Sequence, residues 1–289
     1  MRILILGGDG MLGHQFLDFF QNKHEVRCTV RRQLSDYSKI PLFSTENTYF
    51  GIDLREMNQI VEILNSFRPE VILNCVGVVK QRHSATDFDI SLEINALLPH
   101  RLARVCSAVN ARLVHFSTDC IFSGGKGSYR ENDLFDAHDL YGKTKLLGEV
   151  HYPNSLTLRT SIIGRELFNK KSLIEWFLAQ QGKIKGFRNA IYSGFTTIEM
   201  SRIVEMMITN YSEASGVYHV SSQPISKYDL LRLVSEKLSH EIEIEPDDEF
   251  TCDRSLDSNR FRTAFNYSPP SWDEMIRELA VQKRWAPIQ

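Results

Sequence analysis

Tyr141 and Lys145 stand four residues apart in the stretch Tyr141-Gly142-Lys143-Thr144-Lys145. On a helix that spacing puts two side chains on one face, one turn apart. A phenol with an ordinary pKa of about 10 is a poor proton donor to a carbonyl. A neighbouring ammonium favours the phenolate and eases the transfer, so Lys145 is expected to lower the pKa of Tyr141. Upstream, Ser117-Thr118-Asp119-Cys120-Ile121-Phe122-Ser123-Gly124 follows an apolar run. Thr118 is placed there to hydrogen-bond the same oxygen that Tyr141 protonates. Each piece has a plain structural alternative: a packed ring beside a solvated amine, and a polar run that caps a turn. Their joint occurrence, in this order on the expected elements, favours proton delivery to a carbonyl oxygen.

A second constellation lies at the amino terminus. Gly7-Gly8-Asp9-Gly10-Met11-Leu12-Gly13 has glycine at the fixed positions of G-x-x-G-x-x-G, between an apolar run and a helical pattern. Glycines let the chain turn sharply and let backbone N–H groups approach a pyrophosphate. The N-terminus of the following helix adds unsatisfied donors and a favourable dipole. Alone the motif reads equally as an ordinary strand-to-helix turn; its place in an alternating β/α pattern favours a dinucleotide. A carboxylate at the end of the second strand would suit the ribose 2′-hydroxyl of NAD. This chain has Val30-Arg31-Arg32 there. Two guanidinium groups suit the 2′-phosphate of NADP, the alternative being a solvated basic corner.

The elements that must position these residues follow from hydrophobic period. Ile3 to Leu6 is a continuous apolar run stopped by glycine, as in a strand buried on both faces. Leu12, Phe16 and Phe19 repeat at helical spacing. Glu25 to Val30 and Thr48 to Gly51 read as strands, and Met57 to Phe67 as an amphipathic helix stopped by Pro69. Val71 to Val79 is the most apolar strand candidate. A helix from Ser91 to Ala108, a strand from Arg112 to Phe116, a helix from Leu140 and a strand from Ser155 to Arg159 follow. Such alternation specifies an α/β fold, a doubly wound parallel sheet with helices on both faces. After Gly164 the regularity fades. Helical patterns recur at Leu173 to Ala179, Ile198 to Ile208, Leu230 to Leu238 and Trp272 to Leu279, with a strand candidate at Val217 to Val220 and a charged segment at Glu241 to Arg262. The expected organisation is a nucleotide-binding domain over 1–165 and a smaller lobe over 166–289, with some segments of the lobe returning to the first domain.

Composition excludes several classes. With 289 residues and a formal charge of -2, the chain has no electrostatic footprint for nucleic acid. Five scattered cysteines without a C-x-x-C pair fit reduced thiols in the cytoplasm better than a disulfide framework. The histidines form no metal motif, and no apolar run is long enough for a membrane span. The apolar start is too short for a signal peptide.

Taken together the motifs resemble the extended short-chain dehydrogenase/reductases and, within them, the dTDP-4-dehydrorhamnose reductase family. The resemblance rests on the glycine turn, Ser117-Thr118-Asp119 with Phe122 and Gly124, Asp133, and Tyr141 through Glu149. It continues in Leu158-Arg159-Thr160-Ser161, and more loosely in Phe195-Thr196-Thr197. It implies a Rossmann fold with a carboxyl-terminal substrate lobe, and a triad of Thr118, Tyr141 and Lys145. The implied reaction is reduction of the C4 ketone of a nucleotide-linked 6-deoxy-4-keto-sugar by NADPH, with NADH possible. By the same resemblance, Gly7, Gly10, Met11, Leu12 and Gly13 would hold the cofactor pyrophosphate, and Arg31 and Arg32 its 2′-phosphate. Asp53 and Leu54 would flank the adenine, and Cys75, Val76 and Gly77 would back the ribose. Tyr141, Lys145 and Thr160, with Ser161, would reach the nicotinamide end, and Asn95 would support the site. Lys80, Arg165 and Arg188 are candidates for the substrate diphosphate, and a homodimer is possible. The chain departs from the family in Gly77-Val78-Val79-Lys80-Gln81, in Ala137 where a proline is common, and over Asp253 to Arg262. These departures bear on substrate identity, leaving a UDP-linked keto-sugar reductase or an epimerase as alternatives. An alternative of another class is a cofactor-binding regulatory subunit, as in the β subunit of methionine adenosyltransferase.

Overall fold

The computed structural model describes residues 1–79, 87–168 and 171–282. Its first half alternates β1 (Arg2–Leu6), α1 (Met11–Phe20), β2 (Glu25–Thr29), β3 (Thr48–Tyr49), α2 (Met57–Phe67) and β4 (Val71–Asn74). It continues through α3 (Phe88–Ser91), α4 (Leu98–Ala108), β5 (Arg112–Thr118), α5 (Leu140–Leu147) and β6 (Ser155–Thr160). Then come β7 (Ile162–Ile163), α6 (Leu173–Leu178), β8 (Lys183–Phe187), β9 (Ala190–Tyr192), β10 (Phe195–Thr196) and α7 (Thr197–Thr209). The chain ends with β11 (Gly216–His219), β12 (Ile225–Ser226), α8 (Lys227–Lys237), β13 (Glu243–Asp247), β14 (Cys252–Asp253), α9 (Asn259–Ala264) and α10 (Trp272–Val281).

Seven strands form one parallel sheet in the order β11-β6-β5-β4-β1-β2-β3. Both faces are covered, which is why β1 is apolar at every interior position. Ile3 and Ile5 join a cluster with Phe16, Phe20 and Met207, whereas Leu4 and Leu6 join Ile60, Leu64 and Leu102 on the other face. Each such side chain contributes about 1.5–3 kcal/mol on burial. This is the doubly wound α/β fold read from the sequence. The chain passes from β1 toward β3 on one side, then returns to lay β4 on the other side of β1. The carboxyl ends of β1 and β4 therefore flank the switch point where such sheets bind ligands.

Three elements differ from the sequence reading. The strand expected over Val71 to Val79 ends at Asn74; the apolar residues beyond it line a loop rather than extend the sheet. The helix expected from Ser91 to Ala108 begins at Phe88 and carries a π-helical stretch over Leu92–Leu97, a local widening common at functional sites. The charged segment over 241–262 holds β13, β14 and the start of α9. Beyond residue 165, β11 pairs with β6 and so extends the main sheet. Shorter pairings β10-β7, β12-β9-β14 and β13-β8 build the rest of the carboxyl-terminal part.

Candidate active site

The glycine turn closes the carboxyl end of β1. Gly7 takes φ +80°, a left-handed conformation, and a Cβ there would lie 2.8 Å from Val76 Cγ2. At Gly13 a Cβ would lie 2.1 Å from the Gly7 carbonyl oxygen, so the close packing of α1 on the turn requires glycine. Gly10 is different. It adopts φ -73° and a Cβ would meet only the Gly7 oxygen, at 3.4 Å, so the fold itself does not demand glycine there. Gly10 is also the N-cap of α1, and no side chain among the described residues caps that helix. Its first N–H groups, on Met11, Leu12 and Gly13, are thus left for an anion. Asp9 is held aside by the Tyr37 hydroxyl, which donates to it at 2.9 Å.

Arg31 and Arg32 are exposed at the end of β2. Among the described residues neither forms an ion pair; the Arg32 guanidinium lies over the Phe168 ring at 4.0 Å. Two guanidinium groups with unspent donors beside an uncapped helix start suit a phosphate-bearing dinucleotide. Asp53 is instead engaged by Arg55, whose Nε reaches both carboxylate oxygens at 3.0 Å and holds the carboxyl below its usual range. Leu54 is buried in one hydrophobic cluster with Ile60 and Ile63.

Cys75, Val76 and Gly77 follow β4 across the switch point, facing the glycine turn, with Cys75 N–H donating to the Leu6 carbonyl at 3.1 Å. Asn95, on the π-helical stretch, fixes this loop. Val78 N–H donates to Asn95 Oδ1 at 2.9 Å, while Asn95 Nδ2 donates to the Val78 carbonyl at 3.0 Å and to Thr144 Oγ1 at 3.3 Å. The loop after β4 is thereby tied to α5, the helix that carries Tyr141 and Lys145.

α5 starts at Leu140 because Asp139 caps it, accepting from Gly142 N–H at 2.8 Å. A glycine at 142 lets the helix meet the chain after β5, since a Cβ would lie 2.2 Å from the Cys120 carbonyl oxygen. That contact brings the half-buried Tyr141 against Thr118, with which its hydroxyl shares a hydrogen bond. Thr118 Oγ1 donates to Asp119 at 3.2 Å and accepts from Cys120 N–H at 3.1 Å. One turn on, Lys145 is buried and its ammonium donates to the Phe116 carbonyl at 2.6 Å. The three residues singled out by sequence do converge at the carboxyl end of β5. Thr160 ends the neighbouring strand β6, its hydroxyl turned to the Ser161 carbonyl at 3.2 Å.

The electrostatics correct one expectation. Burial, followed by the nearby Cys120 and carboxyl groups, raises the Tyr141 pKa above the ordinary phenol value, against the Thr118 hydrogen bond. Lys145 does not reverse this, because its ammonium is directed to the strand carbonyl. Burial lowers the pKa of Lys145 itself to about 8, with Glu149 and Cys75 opposing the shift.

Two neighbours of the site have no role in the sequence reading, although Asp119 stands in its Ser117-Thr118-Asp119 motif. Asp119 has its carboxyl pKa raised by burial, opposed by Arg254. Arg254 donates from Nε to the Phe122 carbonyl at 2.8 Å and lies 3.9 Å from Cys120 Sγ. It arrives on the segment after β14, which is stitched to the chain following β5 through Asp253 N–H to Gly124 O and Tyr129 N–H to Ser255 O, both 2.8 Å. Charge without periodicity gave no sequence signal for that packing. Of the diphosphate candidates, Arg165 is paired with Glu175 at 3.0 Å and Arg188 with Asp248 at 3.4 Å. Lys80 lies outside the described residues. The five cysteines are free thiols. Among the described residues no acidic, histidine or cysteine cluster could hold a metal, and no helix is long and apolar enough to cross a membrane.

Comparison with known proteins adds an independent line. Residues 1–284 match the family described as RmlD substrate binding domain. The dTDP-4-dehydrorhamnose reductase of Aggregatibacter actinomycetemcomitans is 24% identical over 303 residues, covering 96% of this chain and 98% of that protein. The methionine adenosyltransferase 2 subunit beta of Bos taurus is 31% identical over 150 residues, which span 51% of this chain and 41% of that one. Among solved structures, the dTDP-4-dehydrorhamnose reductase of Bacillus anthracis in complex with NADP superposes with a TM-score of 0.76 at 20% identity. That likeness covers 96% of this chain and 98% of the other.

Proposed function

The chain belongs to the RmlD substrate binding domain family, and from that premise we propose that it is an NAD(P)H-dependent reductase of a nucleotide-linked 6-deoxy-4-keto-sugar. The substrate best supported is dTDP-4-dehydro-L-rhamnose, reduced at C4 to dTDP-L-rhamnose, as the name of the full-length relative suggests. The observation that carries the reading is the convergence of Thr118, Tyr141 and Lys145 at the end of β5. NADPH is the proposed cofactor, NADH remaining possible. The NADP complex of the related fold supports it, as do Arg31 and Arg32, which form no ion pair among the described residues.

The backbone N–H groups of Met11, Leu12 and Gly13 would hold the cofactor pyrophosphate, and Arg31 and Arg32 its 2′-phosphate. When bound, the reduced nicotinamide supplies the hydride. Tyr141 gives its proton to the developing C4 alkoxide. The high proton affinity of the buried phenol makes it an acid that stays protonated until that oxygen carries charge. Thr118 turns its hydroxyl from Asp119 to the same oxygen and orients it. Lys145, in its ammonium form, would place positive charge one helical turn from the phenol and stabilise the phenolate that proton transfer leaves. Asn95 holds the loop after β4 against α5, keeping the two walls of the crevice in register. The reaction would take place in the cytoplasm, where the five free thiols would persist.

The test is NADPH oxidation, followed by nicotinamide absorbance, with dTDP-4-dehydro-L-rhamnose and with a UDP-linked 4-keto-sugar. Rapid turnover of the dTDP sugar supports the reading, and turnover of the UDP sugar alone moves the substrate while keeping the chemistry. The likeness to methionine adenosyltransferase 2 subunit beta over half the chain favours a second reading, a cofactor-binding regulatory subunit. Tight NADPH binding without oxidation across the sugar panel would select it.

A further inference from the structure

Beneath Tyr141 and Lys145 lies a charged cluster that the chemistry above leaves unused. Glu149 follows Gly148, the C-cap of α5, and is the third residue of the series Tyr141, Lys145, Glu149 at four-residue intervals. Its carboxylate accepts from Arg159 Nε at 2.7 Å, from Arg159 Nη2 at 2.6 Å and from Ser117 Oγ at 2.6 Å. The pair is deeply buried, with side-chain exposures of 5% and 7%. Behind it, Arg159 Nη1 donates to His219 Nε2 at 3.1 Å, and His219 Nδ1 donates to the Tyr129 carbonyl at 3.0 Å. Arginine can only donate and a carbonyl can only accept, so His219 is the neutral Nδ1–H tautomer. Glu149 therefore lies between two cations, Lys145 and Arg159, and a second carboxyl, Glu131, accepts from the His219 backbone N–H at 3.0 Å.

Stability alone is a poor reason for such a pair, because apolar replacements of buried ion pairs are often neutral or stabilising. Its position supplies a better one. Ser117 immediately precedes Thr118 on β5, and Arg159 immediately precedes Thr160 on β6, so Glu149 ties both strand ends to α5. We propose that Glu149, clamped by Arg159 and Ser117, is a positioning residue that keeps Lys145 in its ammonium form and fixes the strand end carrying Thr118. The proposal rests on the reading of Lys145 as a cofactor-site residue. Lys145 is faced by Tyr141 from its own helix, by Glu149 just beyond that helix's C-cap, by Cys75 from the loop after β4, and by neutral His115 and the Phe116 carbonyl from β5. Glu149 is the strongest of the groups that oppose the effect of burial on Lys145.

Neutralising the two partners must act in opposite directions. Glu149→Gln removes the anion and leaves Arg159 acting on Lys145, so the lysine loses its proton at lower pH. Arg159→Gln frees Glu149 from its counter-charge, so the lysine holds its proton to higher pH. Each shift is expected to be about one pH unit, the size produced by a charge within a few ångströms. Because either single variant leaves one buried charge unpaired, Glu149→Gln/Arg159→Gln is included; it keeps polar partners without a lone charge, and its midpoint is expected to fall by less than in Glu149→Gln. The readout is NADPH affinity by nicotinamide fluorescence from pH 6.5 to 10, which needs no sugar substrate, with Lys145→Met as reference. Opposite shifts in the two single variants, or the smaller fall in the double variant where the singles do not fold, support the proposal. A midpoint that is lost in Lys145→Met but stays put, or moves the same way in both single variants, overturns it. A midpoint that survives Lys145→Met overturns the underlying reading of Lys145 instead.

Discussion

Replacing Gly10 by alanine separates what the fold needs from what a ligand needs. At Gly10 the backbone already has φ -73° and ψ 166°, open to any residue, and the new Cβ would meet only the Gly7 oxygen at 3.4 Å. Restricting the unfolded chain favours alanine by about 0.4–1 kcal/mol. Losing glycine at an N-cap costs about the same. The two nearly cancel, so the melting temperature should move by less than about 2 °C. Gly13→Ala is the contrast, since its Cβ would lie 2.1 Å from the Gly7 oxygen and 2.9 Å from the Gly7 carbonyl carbon. Backbone on both sides must shift, at a cost of about 3 kcal/mol or more, roughly a 6 °C fall for a chain of this size. If backbone N–H groups at this turn cradle the pyrophosphate, Gly10→Ala should still weaken NADPH at least tenfold, about 1.4 kcal/mol. Calorimetry and fluorescence titration on the two variants give both numbers. Wild-type NADPH affinity in a folded Gly10→Ala protein would refute the cradle, and equal destabilisation by both substitutions would refute the packing account.

Tyr141→Phe should reduce turnover by about 10²–10⁴-fold, the usual share of a general acid, with NADPH affinity within a few-fold of wild type by titration. Arg31→Ala and Arg32→Ala together should narrow the NADPH to NADH preference by about tenfold or more, as expected when charge-assisted hydrogen bonds of about 1.5–3 kcal/mol are lost; an unchanged ratio of dissociation constants would assign the two arginines to solvent. Burial lowers the pKa of both His14 and His219 to about 4. The unfolded chain therefore binds more protons between pH 6.5 and 4, so stability is present above pH 6.5 and is lost as pH falls through that window. Urea midpoints at pH 7 and pH 5 should show the loss, and His14→Gln should reduce it.

The parts of the fold that sequence disclosed are those where one periodicity has one reading. Ile3 to Leu6 is apolar without alternation because both faces of β1 are covered, and Met57 to Phe67 has its apolar stripe because one face of α2 lies on the sheet. Periodicity does not carry a partner: Val217 to Val220 read as a strand, yet nothing in it announced pairing with β6. Nor does it separate a strand from a loop, so the apolar run after Asn74 reads as strand although it leaves the sheet there. Tyr141 and Lys145 were legible because four-residue spacing on a helix fixes a shared face. Their electrostatics were not, since burial and the Phe116 carbonyl come from elements remote in sequence. Glu149 carried the same spacing signal as Lys145. Its meaning depended on Arg159, which only the β5–β6 pairing brings alongside.

The most direct test of the account is transfer of label. The protein is incubated with dTDP-4-dehydro-L-rhamnose and NADPH deuterated at the transferable position, and the sugar product is examined by mass spectrometry and NMR. One deuterium at C4 of dTDP-L-rhamnose, formed by wild type and nearly abolished in Tyr141→Phe, is the predicted result. Tight binding of the labelled cofactor with no deuterium in any keto-sugar offered would contradict it.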